Sequence, residues 1–294
     1  MRPIPLVRAW CVTPFVRFLI GVGAPVYRWL ESAGLPAESV EVTSQPLPMK
    51  RAVDFVQRAA RAEGAETLGL DVGRHVAADS FGAWGRMLTG TPTLYDRISA
   101  SIERMPWNDT SLEMWLEIDG PDARVCFRYV DGLGPGTVHA EDFTLMVSLE
   151  AFRRSVGEDF RPDAVVLARP RPERFRRDEL FRDVRLVHEG AANQIVFPVE
   201  LLDCSMQRLP AAIGHDESDT LRPAPSLDLP GSIEDTVAAL LPRGYPSVDE
   251  IADLAETSGR SLQRELARSG LSYSTLVDRA RLRLASEYLA DPTA

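Results

Sequence analysis

Residues 245–270 read YPSVDEIADLAETSGRSLQRELARSG, and this stretch decides the architecture of the C-terminal part of the chain. Ser247 with Glu250 three residues on makes a capping box, which satisfies the free amides of a helix start. Val248, Ile251, Ala252 and Ala255 follow at helical spacing and give one apolar stripe. Thr257 and Ser258 interrupt it, Ser258 is a favoured N-cap, and Gly270 stands where a second helix should stop. In that second helix Leu262 and Leu266 form a narrow buried seam, and Arg260, Gln263, Arg264 and Arg268 project from the opposite side. Guanidinium forks and a primary amide on the free side of a short helix are what entry into a DNA major groove requires. The same spacing also suits a solvated helix hairpin with surface arginines.

The run SGRSLQREL at 258–266, followed by Gly270, Leu276, Arg281, Ala285 and the ending YLADP at 288–292, resembles the AraC/XylS family of bacterial transcription regulators. In that family a DNA-binding domain holds two helix-turn-helix units joined by a long helix. The resemblance implies that residues 259–268 are the first recognition helix, with Ser258, Arg260, Ser261, Gln263, Arg264 and Arg268 on the side of a double-stranded promoter or operator. Gln263 and Arg264 are then the candidates for base edges, and Arg260 and Arg268 for phosphates. Two residues depart from the family pattern: Glu256 stands where the turn glycine is common, and Thr257 where an apolar residue is usual. The sequence stops at Ala294, where the family ordinarily continues into its second unit, so the expectation is a partial domain of one unit plus the joining helix. That helix has two apolar faces, one of Tyr273, Leu276, Val277, Ala280, Leu284 and Tyr288, the other of Leu282, Ala285 and Leu289. The second face suits either a further helix-turn-helix or cover from the N-terminal domain.

The chain has 294 residues, 45% of them hydrophobic and 26% charged, enough for two domains with real cores. A net charge of −10 argues against a general polyanion binder. Between Ser258 and Leu284, however, six arginines face only Glu265 and Asp278, a local balance of +4. Lys50 is the only lysine, a skew that a GC-rich bacterial genome explains without DNA contacts. Cys11, Cys126 and Cys204 are far apart and odd in number, as expected of reduced, buried thiols in a cytoplasmic protein. The apolar start is broken by Arg8, Pro14 and Arg17, no small-residue cleavage pattern follows, and no run is long enough to span a bilayer. Neither export nor a membrane partner is expected.

The N-terminal part mixes helical and strand patterns. Helices are expected over much of 4–33, 48–63, 93–104 and 138–156. Strands are expected at 111–118 and 123–130, joined by the hairpin turn DGPD, and at 163–168, 183–188 and 193–197, the last two turning at Gly190. This is an α+β pattern. GLPAE at 34–38, GAWGRMLTGTPTLYDRI at 82–98, the hairpin, RPDAVVLARPRP at 161–172 and FRDVRLVHEGAANQIVFP at 181–198 resemble the arabinose-operon type of N-terminal ligand-binding domain of AraC-type regulators. The resemblance implies a small-molecule sensor without naming the effector. Residues 1–208 are thus read as the sensor, 209–230 as a Pro-, Asp- and Ser-rich linker, and 231–294 as the helical domain, opened by Ser232 with Asp235 as a cap.

Several features invite other chemistry. GAWGRMLTG lacks the GK[ST] ending and the preceding strand of a phosphate loop, so packing glycines explain it better. ARPRPERFRR at 168–177 has acidic neighbours and reads as a solvated loop and helix. His75, His139, His188 and His215 have no metal or nucleophile spacing. Glu141 and Asp142 read as structural capping near a helix start. Trp10, Trp29, Trp84, Trp107 and Trp115 suit either core or an aromatic ligand wall. No catalytic residue, metal site or cofactor is expected.

The sequence therefore predicts an α+β sensor followed by an all-α helix-turn-helix domain of partial AraC type: a sequence-specific DNA-binding transcription regulator answering to an unidentified small molecule. With one reader helix per chain, a homodimer is an expected partner. The other reading is a sensor or interaction protein of the same family that binds a small molecule or an intact partner without reading DNA alone.

Overall fold

The computed structural model describes residues 1–41, 44–76, 81–88, 90–188, 190–205 and 223–290. Residues 209–222 of the expected linker, His215 among them, and the last residues of the YLADP run lie outside the described residues.

The chain opens with β1 (Leu6–Arg8), α1 (Ala9–Gly21), α2 (Val26–Ala33), α3 (Ala37–Glu41) and β2 (Pro46–Pro48), β1 and β2 pairing antiparallel. The single helical pattern expected over 4–33 is thus a strand and two helices. Arg8, 1% exposed, fixes the corner by donating to the carbonyls of Trp107, Ser44 and Pro223. Next come α4 (Met49–Glu63), α5 (Leu68–Gly73), α6 (Gly82–Leu88) and α7 (Leu94–Asn108). Thr93 and Asp96 form a reciprocal capping box at the start of α7.

The sheet is built from β3 (Leu112–Asp119), β4 (Asp122–Tyr129), β5 (Ala164–Leu167), β6 (Arg185–His188) and β7 (Asn193–Pro198), with α8 (Thr137–Val156) and α9 (Glu173–Arg176) between them. Its order is β3-β4-β7-β5-β6. β3 and β4 form the expected hairpin, from Leu112 opposite Tyr129 to Asp119 opposite Asp122. The second expected hairpin does not form. β7 runs between β4 and β5, antiparallel to both, while β6 lies outside β5 and parallel to it. Gly190 lies close against β5: a Cβ there would fall 2.5 Å from Val166 Cγ1, and its amide donates to the Leu167 carbonyl at 3.2 Å.

The C-terminal part is all helical: α10 (Leu229–Leu240), α11 (Val248–Leu254), α12 (Gly259–Arg268) and α13 (Tyr273–Ala290). Asp228, not Ser232, caps α10, its side chain accepting from the Gly231 amide at 2.8 Å. Ser232 is fully buried one turn in, where it accepts from the Ile4 amide at 3.0 Å, and Asp235 takes Arg283 of α13 at 2.7 Å. Ile4 and Leu6 enter the core of this helical part beside Ile233, Val237, Leu262 and Leu276, while Ala239 of α10 packs in the larger core of the sheet domain. The two parts are therefore stitched together from both ends of the chain.

Candidate functional site: a reader helix and an apolar cavity joined by one helix

Ser247 caps α11 by accepting from the Glu250 amide at 3.1 Å, and Ser258 caps α12 by accepting from the Ser261 amide at 3.3 Å. Between them the turn passes through Glu256, whose φ of +52° lies in the left-handed region that favours glycine. Ile251, Ala252, Leu254, Leu262 and Leu266 are buried against Leu276, Val277 and Ala280 of α13. This seam leaves Arg260, Gln263, Arg264 and Arg268 exposed on one side of α12. Ser261 is half-buried and receives a hydrogen bond from the Ser258 hydroxyl at 3.0 Å, so both serines serve the helix start first.

The arginines of the basic stretch are not equivalent. Arg268 is paired with Glu265 at 2.9 Å, Arg283 with Asp235, and Arg281 lies over the Tyr245 ring and 3.8 Å from Asp278. Among the described residues, Arg260, Arg264 and Arg279 make no ion pair, and they carry the free positive charge of this surface. The second apolar face of α13 is not covered by the sheet domain: Leu282 is 70% and Leu289 is 89% exposed.

In the sheet domain a cavity of about 140 Å³ lies between α1, α4, α7, α8 and the first two strands of the sheet. Its walls include Phe15, Met49, Val53, Trp84, Ile98 and Phe143. Phe143 is the aromatic hub, 4.9 Å from the Phe15 ring and 6.2 Å from that of Phe81. Of the tryptophans, Trp84 faces this space and donates to the Arg104 carbonyl at 3.1 Å, Trp10 and Trp29 are core, and Trp107 is partly exposed. Trp115 stacks with the Arg128 guanidinium on the sheet. Arg97, 5% exposed, also lines the cavity. Sequence reasoning missed it, although its position three residues after Leu94 on the inward stripe of α7 was the available signal.

Beside the cavity, α8 carries a buried charge cluster where the sequence suggested a solvated loop and a helix cap. Arg171 has no exposed side-chain area and donates to Asp142 at 2.5 Å and to Glu141 at 2.7 Å. The expected solvated loop at 168–177 thus sends one of its arginines inward. The two acids fix that loop on α8 rather than capping the helix. Burial raises Asp142 to about 6 against the lowering pull of Arg171, and burial followed by Arg171 lowers His139 to about 4. Cys11, Cys126 and Cys204 are free, Cys126 buried and the others half-buried. Among the described residues, no group of His, Cys, Asp and Glu is arranged to hold a metal ion. No helix in the described residues is long and apolar enough to cross a membrane.

The helix α4 joins the two features. Met49, Ala52, Val53 and Val56 face the cavity. Its other side grips α11: Arg51 reaches Glu250 at 3.0 Å, and Lys50 reaches the Asp253 carbonyl at 3.1 Å.

Residues 23–206 match the family described as the arabinose-binding domain of AraC transcription regulators, N-terminal. The chain is similar to the ornithine utilization regulator of Pseudomonas aeruginosa, 28% identical over 260 residues that cover 85% of this chain and 76% of that protein. Its fold is similar to the crystal structure of the transcriptional regulator CdpR from Pseudomonas aeruginosa, with a TM-score of 0.50 and 17% identity, over 96% of this chain and 86% of that one. The family match spans more than half of the residues, and the chain belongs to the AraC transcription regulators that carry an N-terminal domain of the arabinose-binding type.

Proposed function

We propose that this regulator reads double-stranded DNA through α12 and that a small molecule in the cavity alters how α12 is presented. The observation that carries this reading is the double duty of α4, whose apolar side walls the cavity while Lys50 and Arg51 hold α11. An occupant that shifts α4 acts on the helix-turn-helix without touching it. Its leverage equals its difference in affinity for the two arrangements. On the DNA side, Arg264 and Gln263 reach base edges, and Arg260 and Arg268 hold phosphates, with Arg268 leaving Glu265 to do so. A single reader helix supplies few contacts, so useful affinity calls for a second reading element on the same site, such as that of another copy of the chain.

The test is selection of bound duplexes from genomic fragments, followed by salt-titrated affinity for the enriched sequence with wild type and Arg264→Ala. Recurrent sites, a steep salt slope and relaxed base preference in the variant are expected. Absence of enrichment by the full chain, or binding indifferent to Arg264, overturns DNA reading by this chain alone. The second reading, a sensor that acts on a protein partner, is favoured by the exposure of Leu282 and Leu289 and would then take its place.

A further inference from the structure

Polar groups at the two ends of the cavity are treated differently. At the C-terminal end of α7, they satisfy one another. Asn108 accepts from Trp10 and from the Cys11 thiol, Asp109 accepts from the Ser111 amide at 2.7 Å, and Tyr129 bonds Thr144 at 2.8 Å. At the N-terminal end, Arg97 is buried without an acid. Its Nε reaches the Thr91 hydroxyl at a long 3.4 Å, and its Nη2 is buried with no hydrogen-bond partner. No carboxylate pairs with it among the described residues. Its charged neighbour is Arg154, another cation, and burial followed by that neighbour lowers its proton affinity. A buried guanidinium without a counter-charge is costly, and that cost is relieved when a ligand supplies the anion.

The rest of the cavity shows what the anion must be attached to. Leu94, Ile98 and Met105 continue the inward stripe of α7, and Val53, Val56 and Phe143 face them. The helix from Arg97 to Asn108 runs about 16 Å at 1.5 Å per residue. A sugar in this space would lose the water on its hydroxyls without replacement. A diamino acid would bring two ammonium groups to a wall whose one carboxylate, Asp109, already accepts from the Ser111 amide and hydroxyl. A dianionic phosphate would leave one negative charge unmatched by the one guanidinium that lines the cavity, since Arg154 is exposed and outside the lining. A monoanion with a hydrocarbon body meets each condition.

We propose that the cavity takes an elongated, largely hydrocarbon monocarboxylate, its carboxylate held by Arg97 and its body lying along the Ile98–Met105 stripe of α7. That such an acid is the effector rests on the regulatory reading above; that it binds here does not.

The test is calorimetric titration of the full chain, without DNA, using n-octanoate as the probe and 1-octanol, octylamine, L-arabinose and L-ornithine as comparators. Octanoate should bind saturably, and more tightly than 1-octanol or octylamine. Arg97→Met should weaken octanoate by at least about tenfold while changing 1-octanol little, as removal of a charge-assisted bond predicts. Arg97→Lys, which keeps the charge, should retain part of the octanoate preference, and circular dichroism identifies a variant that has failed to fold. Equal binding of acid and alcohol by wild type, or binding of arabinose or ornithine in place of octanoate, overturns the proposal. Octanoate binding that depends on Arg97 but leaves DNA affinity unchanged supports the ligand class and counts against the regulatory reading alone.

Discussion

Arg51 donates from Nη2 to Glu250 Oε1 at 3.0 Å, and this bond ties a helix of the cavity wall to the first helix of the helix-turn-helix across 199 residues of sequence. Arg243 approaches the same carboxylate oxygen at 3.7 Å. Both side chains of the main pair retain about a quarter of their exposure, so its contribution to stability is small, about 0.2–1 kcal/mol. Arg51→Met should therefore leave the thermal midpoint within a few degrees of wild type. Its larger effect should fall on coupling: the difference in DNA affinity between ligand-free and ligand-saturated protein should shrink. A variant with an undiminished ligand response would show that the signal does not pass through this contact.

The left-handed conformation at Glu256 leads to a second expectation. It is the one non-glycine residue with positive φ among the described residues, and a side chain there costs about 1–2 kcal/mol. Glu256→Gly should raise stability by about 1 kcal/mol after allowing for the greater freedom of glycine in the unfolded chain. Glu256→Ala, which keeps the backbone cost, should give no such gain. Chemical denaturation of the three proteins side by side checks this, and equal gains from both variants would place the effect in removal of the carboxylate, which sits against Gly132, rather than in the backbone.

Local features of the fold were legible in the sequence, and long-range ones were not. The caps at Ser247 and Ser258 act over three residues, so their spacing announces them. The β3–β4 hairpin is equally local. By contrast, β6 and β7 are adjacent in sequence but separated in the sheet by β5, and no turn signal encodes an intervening strand. Arg171 meets Glu141 and Asp142 from 29–30 residues away, and a run of arginines gives no sign that one of them is buried. Arg97 was hidden for a related reason: that no carboxylate among the described residues pairs with it is visible only when the neighbouring helices are in place.

Two glycines set the approach of α5 to α8. A Cβ on Gly69 would fall 2.0 Å from the His139 carbonyl oxygen, and one on Gly73 would fall 2.6 Å from Met146 Cβ. The first obstacle is backbone and cannot rotate away. Gly69→Ala should therefore destabilise the protein by about 1–3 kcal/mol through overpacking. Because α8 also walls the cavity, ligand binding should weaken in the same variant. Urea denaturation and titration of a cavity ligand measure the two effects, and an unchanged midpoint would contradict the close packing.

The buried titratable groups of the sheet domain predict opposed pH slopes. His139 is lowered to about 4, so the stability of its neutral form is present above its unfolded value near 6.5 and is lost as pH falls through about 4. Asp142 and Asp109 are both raised to about 6, mainly by burial, so their contribution is present below about 3.8 and lost as pH rises through about 6. His139→Gln removes one slope and leaves the other. Its denaturation midpoint should rise more steeply than that of wild type on acidification from about pH 7 to about pH 5. Parallel curves would mean that His139 does not contribute to the pH dependence.

If α12 reads DNA as proposed, substitutions at its free charges should separate phosphate holding from base reading. Arg260 is the first exposed side chain after the cap, beside the positive end of the helix dipole, where an anion is favoured. Arg264 lies one turn further along the same side, exposed and without an ion pair among the described residues. Arg260→Ala should weaken binding to all duplexes to a similar degree and reduce the salt slope by about 0.9 for each phosphate it no longer neutralises. Arg264→Ala should cost about 1–3 kcal/mol on the preferred sequence and much less on an unrelated one. Arg268 provides an internal comparison: its release from Glu265 must precede a phosphate contact, so Glu265→Gln should strengthen binding slightly. Salt-titrated affinities on specific and unrelated duplexes measure all three. If Arg260→Ala and Arg264→Ala weaken binding equally on both sequences, α12 holds the backbone and base reading lies elsewhere.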